Sequence, residues 1–322
     1  MKTTKTASTG PPTLLNRETS EEVSIVMVSY WTGPILFEAI NAALAGSQAG
    51  IKELILVDNG NTCSVIKELF HCAKENPKLR IISGHGNVGF ARACNIGSDI
   101  AQGRYLLLLN PDCCLSKTAV ANLLSEASSR EGHWVFGGRV YDPNGQPQRG
   151  SKRSLLTPIT ALVSALHLAT VAPRLFRKFD LNQHHIPATR TIRVEAISGA
   201  CMMLPIKTYK EFNGLDEGYF LHVEDLDFCM RLHRAKVPIF YVPTAEAIHY
   251  ASSSQASRVW VEWQKAKGFF RYFWKHYRGG VWLIILVPLW IGILARLGIK
   301  SALILISAGI KRAFNPQGSP TT

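Results

Sequence analysis

VSIVMVS, at Val23–Ser29, is a continuous apolar run near the start of the chain. An apolar run without polar alternation is typical of a strand that is buried on both faces of a parallel sheet. A second such run, IKELILV at Ile51–Val57, ends at Asp58-Asn59-Gly60. Because Pro34–Ala45 is predicted to be a helix between the two runs, the chain begins as a strand–helix–strand unit. This unit predicts a parallel α/β sheet.

The alternation of helix and strand continues beyond the second strand. In an open sheet of this kind, helices cover both faces and ligands gather at the carboxyl ends of the strands. Asp58 and Asp112 both follow predicted strands, so both are expected at that edge. The next elements are predicted to be a helix, a strand, a helix and a strand, in this order: Ser64–Lys74, Leu79–Ile82, Gly89–Ala101 and Tyr105–Leu109.

Beyond Leu115 the pattern becomes mixed. Residues 141–153 contain Pro, Gly, Gln and Arg and are predicted to form an exposed loop. The apolar segment Leu155–Ala172, interrupted by Pro158, is expected to pack in the core. Further strands are predicted at Trp134–Val140, Arg193–Ser198, Ala200–Leu204 and Ile239–Val242.

Composition bounds the class of protein and its partners. The chain has 322 residues, of which 47% are hydrophobic, and a formal net charge of +13. This balance permits a large core and favours anionic partners such as nucleic acid, anionic lipid or phosphorylated substrates. The 7 cysteines show no paired metal-binding spacing, so we predict reduced, mostly buried thiols in a cytosolic protein. Residues 1–21, without a signal-peptide pattern, are predicted to be a disordered tail.

The C-terminal region, residues 258–322, differs in composition from residues 22–257, which we predict to form one α/β domain. Val259–Tyr277 mixes aromatic and basic side chains, as an amphipathic helix at a membrane surface does. The apolar run Val281–Ala295 contains Pro288 and is shorter than the roughly 20 residues that a spanning helix needs. We therefore expect a hairpin that lies on the cytoplasmic face of a membrane, with a true span or an ordinary packed tail as the alternatives.

The segment GLDEGYFLHVEDLDFCMRL, at Gly214–Leu232, combines acidic residues with aromatic ones. Glu224, Asp225 and Asp227 fall in the first turn of a predicted helix. A carboxylate there lies near the positive end of the helix dipole, which suits a group that must stay ionised and accept a proton from a hydroxyl. The alternative is that these acids only complement the dipole.

Gly84-His85-Gly86-Asn87-Val88-Gly89 matches the G-x-G-x-x-G pattern of dinucleotide-binding proteins. It follows a predicted strand and opens a helix, and Asp112 lies about 20 residues beyond it. An NAD(P)- or FAD-dependent oxidoreductase that uses Gly84, Gly86 and Gly89 is therefore a rival interpretation. It is weakened because a complete strand–helix–strand unit already precedes the pattern.

Asn110-Pro111-Asp112 ends the fourth predicted strand. Pro111 fixes the turn and leaves Asp112 facing outward, where its carboxylate can bind Mg²⁺ or Mn²⁺ or can form an ordinary Asx turn. His249 follows a late strand and is either a core histidine or a second metal ligand.

Six segments occur in one order: IVMVSY, VDNG, GNVGFARACNIG, LLLLNPD, SGACMML and the acidic segment Gly214–Leu232. Together they resemble the family-two inverting glycosyltransferases, in the branch of rhamnosyltransferases that build cell-surface polysaccharide. The resemblance covers roughly residues 22–250. It implies a GT-A fold, a dTDP- or UDP-sugar donor and a divalent cation, Mg²⁺ or Mn²⁺.

The same resemblance implies roles for individual residues. Asp225 matches the catalytic base, with Glu224 beside it. Asp112 matches the last acid of the metal-binding motif, and Asn110 stands where many relatives carry the first acid, which leaves Asp112 and His249 as the metal ligands. Asp58 matches the acid that contacts the base or ribose of the nucleotide. The remaining residues that match the donor-binding loop and helix are Asn87, Gly89, Arg92 and Asn95.

The C-terminal composition and the motifs of the chain bear on the acceptor and on the remaining alternative functions. A basic, aromatic region suits a lipid-linked or glycan acceptor at an anionic membrane surface. A processive synthase is disfavoured because the sequence has no Gln-x-x-Arg-Trp motif. A nucleic-acid partner is not expected, since the basic residues lie beside apolar helix and not in a nucleic-acid motif. A catalytically inactive binding protein with the same fold is a further alternative.

Overall fold

A computed structural model describes residues 22–45, 50–148, 150–165, 168–176, 181, 188–251, 254, 256–280 and 282–314. The predicted tail at residues 1–21 lies outside these residues. The strands are β1 Val23–Ser29, β2 Ile51–Asp58, β3 Leu79–Ile82, β4 Tyr105–Leu109, β5 Cys113–Leu115, β6 Val135–Tyr141, β7 Lys152–Arg153, β8 Ile192–Val194, β9 Ala196–Ile197, β10 Cys201–Pro205 and β11 Ile239–His249. The helices are α1 Ile35–Ala45, α2 Cys63–Glu75, α3 Phe90–Asp99, α4 Ala119–Ala127, α5 Pro158–Ala165, α6 Leu168–Val171, α7 Pro173–Phe176, α8 Ile206–Glu211, α9 Glu224–Arg234, α10 Arg258–Tyr277 and α11 Trp282–Phe314.

The central sheet has two halves. Strands β3, β2, β1 and β4 lie in this order and are mutually parallel. The order continues through β10, β6, β11 and β5, with β10 antiparallel to both of its neighbours and β6 parallel to β11. The predicted α/β class with a central parallel sheet is confirmed, and the parallel half is the part that the first strand–helix–strand unit begins.

Burial on both faces explains the unbroken apolar sequence of β1. Alternate residues of a strand point to opposite faces of the sheet. Ile25 and Met27 enter a core with α1 and α4, while Val26 and Val28 enter a second core with α3 and α9. Both faces are dry, so a polar side chain there needs a partner, as Ser24 has in Glu53 Oε1, to which its hydroxyl donates over 2.7 Å.

Two predicted segments differ from the structure. Residues 141–153 are not wholly a loop, because Lys152–Arg153 forms β7 and pairs with β9. Strand β11 continues past Val242 to His249, which makes it longer than predicted. Pro243 lacks a backbone N–H, and the pairing of β11 with β6 shifts register between Val242 and Glu246, so the strand tolerates the proline through a local irregularity.

The apolar C-terminal helix is also longer than predicted. Helix α11 runs through Pro288 to Phe314 without a break, so the predicted end of the run at Ala295 was wrong. Within it, Trp282–Ser307 is long and apolar enough to cross a membrane, by length and composition alone. Several apolar side chains of α11 are exposed to solvent. Ile284, for example, is 77% exposed.

Helix α10 belongs to the core. Tyr272 and Phe273 are fully buried and lie in the same hydrophobic cluster as α3 and α9. The predicted boundary between residues 257 and 258 would separate these side chains from the core that buries them. Within the C-terminal region, α11 is therefore the element whose apolar surface remains largely outside the domain.

The cysteines are free thiols, as predicted. Burial raises the pKa of the Cys201 and Cys229 thiols to about 12, so both stay protonated at neutral pH. Cys63, on the first turn of α2, is the exposed exception.

Candidate active site

A cavity of about 670 Å³ opens at the carboxyl ends of β1, β2, β4 and β11. At one end it is lined by Asn59, Asn87, Gly89, Asp112 and His249, which come from four separate strand ends or loops. At the other end α10 and α11 line it with basic, aromatic and aliphatic side chains. The predicted edge of the sheet is therefore where the structure places a ligand-sized space.

Short polar side chains shape the first end of the cavity. Asn59 Nδ2 donates to Asn87 Oδ1 over 3.0 Å, and the Val88 N–H donates to Asn59 Oδ1 over 3.1 Å. These bonds connect the end of β2 to the loop that precedes α3. Both loops are thereby held at the cavity wall.

Asp58 has a structural task at the same strand end. Its buried Oδ1 accepts hydrogen bonds from the Gly60 N–H at 3.2 Å, the Asn61 N–H at 2.9 Å and the Asn61 side-chain amide at 2.7 Å. The carboxylate thus forms an Asx-type turn that presents Asn59 to the cavity. Asp58 is not among the residues that line the cavity.

Gly89 is required at the start of α3. Its φ is +87°, and a Cβ there would lie 2.7 Å from the carbonyl oxygen of Phe220. The next residue, Phe90, donates its N–H to that same oxygen over 2.7 Å. The glycine therefore allows α3 to contact the segment that leads into α9. The motif follows β3, an edge strand, and not the first strand as a dinucleotide fingerprint does.

Asp112 and His249 come together through strand pairing. In the antiparallel pair of β11 with β5, His249 is opposite Cys113, and the Tyr250 N–H donates to the Asp112 carbonyl over 3.0 Å. His249 Nε2 consequently lies 3.1 Å from Asp112 Oδ1. The two residues are 137 positions apart in the chain, and only the sheet brings them together.

The surroundings of His249 indicate which nitrogen carries the lone pair that a cation would need. Its Nδ1 lies 2.8 Å from Gln148 Oε1, an acceptor, so Nδ1 carries the proton and donates it. Nε2 then presents a lone pair, which accepts from Asn110 Nδ2 at 3.1 Å and faces the carboxylate of Asp112. An imidazole lone pair facing a carboxylate oxygen fits a divalent cation held by these two groups. The described residues contain no cluster of three His, Cys, Asp or Glu side chains that could hold a metal ion.

Asp225 is positioned by backbone and by an arginine. Its Oδ2 accepts the Gly199 N–H over 3.1 Å and lies 3.5 Å from Arg153 Nη2. Val223, immediately before α9, has φ +75° in the left-handed region, and so does His222 at +67°. Two consecutive non-glycine residues in that region are uncommon, and such conformations concentrate at functional sites.

Glu224 differs from its neighbour. The side chain is buried, and its Oε2 has no hydrogen-bond partner among the described residues. Burial, followed by the negative charge of Asp225, raises the pKa of Glu224 to about 8. Glu224 is therefore largely protonated at neutral pH.

One dipeptide connects the two acidic centres. The Asn110 N–H donates to the Ala200 carbonyl over 3.0 Å, and the preceding residue, Gly199, donates to Asp225. A Cβ on Gly199 would lie 3.3 Å from the Cβ of Asp225, so the backbone approaches this side chain closely. The turn that carries Asp112 and the helix start that carries Asp225 are thus held at opposite ends of Gly199-Ala200.

Arg92 and Asn95 lie outside the cavity lining. Arg92 Nε is 3.7 Å from Glu217 Oε2 and its side chain is largely exposed. The Asn95 amide donates to the Leu215 carbonyl at 2.9 Å and accepts from the Tyr209 hydroxyl at 2.7 Å. Both residues therefore hold the turn at Leu215–Glu217, which precedes the cavity-lining residues Phe220–His222. The predicted contact of Arg92 and Asn95 with the donor has no support from the cavity.

Three residues at the site were missed by sequence reasoning. Gln148 and Arg153 belong to the segment predicted as an exposed loop, where a polar composition is expected in any case. His222 lines the cavity, and burial lowers its pKa to about 4. The only available signal was that His222 directly precedes the acidic helix start, and it carried no information on burial.

Comparison with known proteins was made with this geometry in hand. Residues 24–199 match the family described as Glycosyl transferase family 2. An N-acetylglucosaminyl-diphospho-decaprenol L-rhamnosyltransferase of Mycobacterium tuberculosis is 26% identical over 247 residues, which are 73% of this chain and 78% of the relative. A low-salt glycan biosynthesis hexosyltransferase of Haloferax volcanii is 23% identical over 233 residues, covering 71% of this chain and 67% of the relative.

A solved structure agrees with the fold. The mannosyltransferase from Pyrobaculum calidifontis in complex with GDP-Man and Mn²⁺ superposes with a TM-score of 0.53 at 13% identity, covering 93% of this chain and 76% of the other. At that identity the likeness concerns the fold alone, and the fold is of the GT-A type. The family match spans more than half of the chain and includes the first strand–helix–strand unit, the glycine-containing loop and Asp112. The chain therefore belongs to glycosyl transferase family 2.

Proposed function

We propose that this glycosyltransferase moves L-rhamnose from dTDP-rhamnose to a lipid-linked acceptor, with inversion at the anomeric carbon. The observation that carries the proposal is the link through Gly199-Ala200. Hydrogen bonds of this dipeptide tie the turn of Asp112, which lines the cavity, to Asp225, which is not among the lining residues. A single displacement needs both a site for the diphosphate and a base for the acceptor hydroxyl, and this arrangement supplies candidates for each.

Asp225 is the proposed base. As the acceptor oxygen forms its bond to the anomeric carbon, the bond from that carbon to the diphosphate oxygen breaks, and the hydroxyl proton passes to the Asp225 carboxylate. The nucleoside diphosphate leaves with the electron pair of the broken bond. Positioned general-base help is worth about 10²–10⁴-fold in rate. Arg153 Nη2 lies 3.5 Å from Asp225 Oδ2, close enough to hold the carboxylate in position.

Asp112 and His249 are the proposed ligands of Mg²⁺ or Mn²⁺. A bound divalent cation would neutralise negative charge on the departing diphosphate. Gln148 would orient the imidazole, and Asn110 would occupy the position beside it. Asn87 and Gly89 would face the donor, with Asp58 acting indirectly by shaping the turn that presents Asn59.

The identity of the sugar rests on the relatives. The mycobacterial relative is named as an L-rhamnosyltransferase acting on N-acetylglucosaminyl-diphospho-decaprenol. A lipid-linked acceptor also agrees with an apolar helix that leaves its outer side chains uncovered, since such a surface suits a membrane. We place the protein at the cytoplasmic face of the membrane, as a peripheral or monotopic protein.

A ligand screen tests the proposal. Thermal unfolding is measured with dTDP-rhamnose, UDP-sugars, GDP-mannose and NADH, each with and without Mn²⁺. A true donor present at 100 times its Kd stabilises the protein by about 2.7 kcal/mol. We expect the largest Mn²⁺-dependent shift with dTDP-rhamnose. A larger shift with another nucleotide sugar would reject the assigned donor, and a shift with NADH alone would favour the oxidoreductase.

Product analysis tests inversion separately. The sugar transferred from an α- or β-configured donor is examined by NMR for the configuration of its new bond. Retention of configuration would reject Asp225 as the base of a single displacement. Donor binding without transfer to any lipid-linked acceptor would favour an inactive binding protein of the same fold.

A further inference from the structure

Four charged side chains meet where α10 crosses α11. Glu262, on α10, is the carboxylate that three cations share: Lys265 Nζ lies 3.6 Å away, Arg296 Nη1 3.3 Å and Lys300 Nζ 3.2 Å. The Glu262 side chain is 12% exposed, so the cluster is partly withdrawn from water. Three positive charges against one negative charge leave an excess of positive charge, which water screens only in part.

Burial and the neighbouring charges both act on the pKa of Lys265. Burial, with a further contribution from Lys300 and Arg296, lowers the pKa of Lys265 even though Glu262 acts in the opposite direction. An additional anion beside Lys265 would relieve the repulsion among the cations. The cluster is thus better matched to four charges plus a bound anion than to the four charges alone.

The cluster forms part of the cavity wall. Glu262, Lys265 and Lys300 line the same cavity as Asp112 and His249. The ammonium groups therefore face a space that is continuous with the proposed donor site. Arg258, one turn before Glu262 on α10, lines it as well.

On α11, apolar side chains follow Lys300 along the helix. Lys300, Leu303 and Ile304 all line the cavity, and their spacing of three and four residues places them on one face of α11. Ile299 and Ile306 are exposed on the remainder of the helix, at 62% and 58%. A ligand with an anionic head at Lys300 could extend an apolar tail along this helix.

We infer that Lys265 and Lys300, the two cations of this cluster that line the cavity, bind the diphosphate of a polyprenyl-diphosphate acceptor. The tail lies along Leu303 and Ile304, and the sugar lies toward Asp225. This inference rests on the proposed function for the identity of the acceptor, but the binding step needs neither donor nor turnover. A phospholipid headgroup is the other source of a phosphate at a membrane, and the experiment separates the two.

The experiment measures binding of farnesyl diphosphate to the full-length protein by calorimetry, without nucleotide sugar. The variants are Lys265→Ala, Lys300→Ala and Lys300→Arg. The matched control is Lys267→Ala, at an exposed lysine on α10, the helix that carries Lys265. Removing one charge-assisted contact should weaken binding by about 10-fold or more. We expect this loss in Lys265→Ala and Lys300→Ala, near-normal binding in Lys267→Ala, and substantial recovery in Lys300→Arg. Equal weakening by Lys267→Ala, or no weakening by either cluster variant, would overturn the inference.

Two further measurements distinguish a site for the acceptor diphosphate from a phospholipid-headgroup site and from an effect on nucleotide binding. Sedimentation with phosphatidylglycerol vesicles should decrease by similar amounts in Lys267→Ala and Lys300→Ala, because general attraction to anionic lipid depends on charge number. A selective loss in Lys300→Ala would assign the cluster to a phospholipid headgroup and overturn the inference. Binding of dTDP, measured on the same samples, should not change. If farnesyl diphosphate binds as expected but dTDP-rhamnose is no donor, the proposed function fails while the anion site stands.

Discussion

The two ends of the cavity are lined by different kinds of side chain. At the strand ends, short side chains and backbone groups face the cavity, and distances among them are set by sheet register, as between Asp112 and His249. At the helical end, long cationic and aliphatic side chains from α10 and α11 line the wall. The first end suits a ligand whose atoms must be placed accurately, and the second suits a ligand recognised by charge and apolar area.

One buried carboxylate joins α9, whose first turn carries the proposed base, to α10, which lines the helical end of the cavity. Asp227, on α9, accepts from His276 Nε2 and lies within ion-pair distance of Lys275 Nζ, both at 2.8 Å and both on α10. Burial alone would raise the pKa of Asp227, but His276, Lys275 and Arg231 hold it well below the usual range. Helices α9 and α10 therefore behave as one packed unit, and a cut at residue 257 would remove the partners of Asp227.

The largest loss of turnover is expected at Asp225, the proposed base. Asp225→Asn should lower turnover at least 100-fold, on the scale of general-base help of about 10²–10⁴, because the amide cannot accept the proton. Binding of dTDP, measured by calorimetry, should be preserved, since Asp225 does not line the strand end of the cavity. Asp99→Asn, at an exposed position on α3, is the control. Turnover of Asp225→Asn within a few-fold of wild type would remove Asp225 from the mechanism.

The connection between α9 and α10 is tested at Asp227. Asp227→Asn leaves Arg231, Lys275 and His276 without their shared carboxylate in a buried place, which should cost about 3–5 kcal/mol of unfolding free energy. Urea unfolding checks this value, with Asp99→Asn again as the control. A depressed carboxyl pKa stabilises the fold above the unfolded pKa and loses that contribution as the pH falls. The difference between wild type and variant should therefore shrink below pH 4, and a constant difference would contradict the ion-pair account.

At the strand end of the cavity, the role of Gln148 in orienting His249 can be tested. If Gln148 fixes the proton on His249 Nδ1, Gln148→Ala should weaken Mn²⁺-dependent dTDP binding by about 10–100-fold, the usual effect of losing an outer partner of a ligating histidine. Titration with Mn²⁺ at fixed dTDP measures the change, and Gln146→Ala, exposed in the same turn, is the control. Gln148→Glu should restore binding, because a carboxylate also accepts from Nδ1. Unchanged Mn²⁺ titration in Gln148→Ala would show that Gln148 does not orient a metal ligand.

The smallest expected effect concerns Glu224. Its raised pKa means that the folded state favours the protonated form, so its contribution is complete below the unfolded pKa, near 4.5, and is lost as the pH rises through about 8. Wild-type stability should fall relative to Glu224→Gln across this window, by at most about 1.4 kcal/mol per pH unit. Urea unfolding at several pH values gives the slope. A parallel pH dependence in the two proteins would contradict the raised pKa.

Local pattern was sufficient for much of the parallel half. The apolar run of β1 predicts a strand buried on both faces, because solvent-free faces exclude polar side chains on either side. The position of Asp112 at the cavity followed from the rule that ligands gather at strand carboxyl ends. The helix start at Glu224 followed from acids beside an apolar periodicity. Each of these inferences depends on residues that are close in the chain.

Pairing over long distances was not readable in the same way. Gln148 and Arg153 resembled ordinary loop residues, and only β7 pairing with β9 and the course of β11 place them beside His249 and Asp225. The end of α11 was also misjudged, because Arg296 and Lys300 look like flanking charges until Glu262 is seen to neutralise part of them from another helix.

By itself, the sequence determined the α/β alternation, the strand-end acids and the apolar C-terminal region, since periodicity, turn chemistry and hydropathy act between near neighbours. Tertiary structure alone decided which acid faces which cation, that α10 is buried with α9, and that one cavity runs from the strand ends to α11. Those outcomes depend on sheet register and helix packing, where a shift of one residue turns a side chain away from its partner.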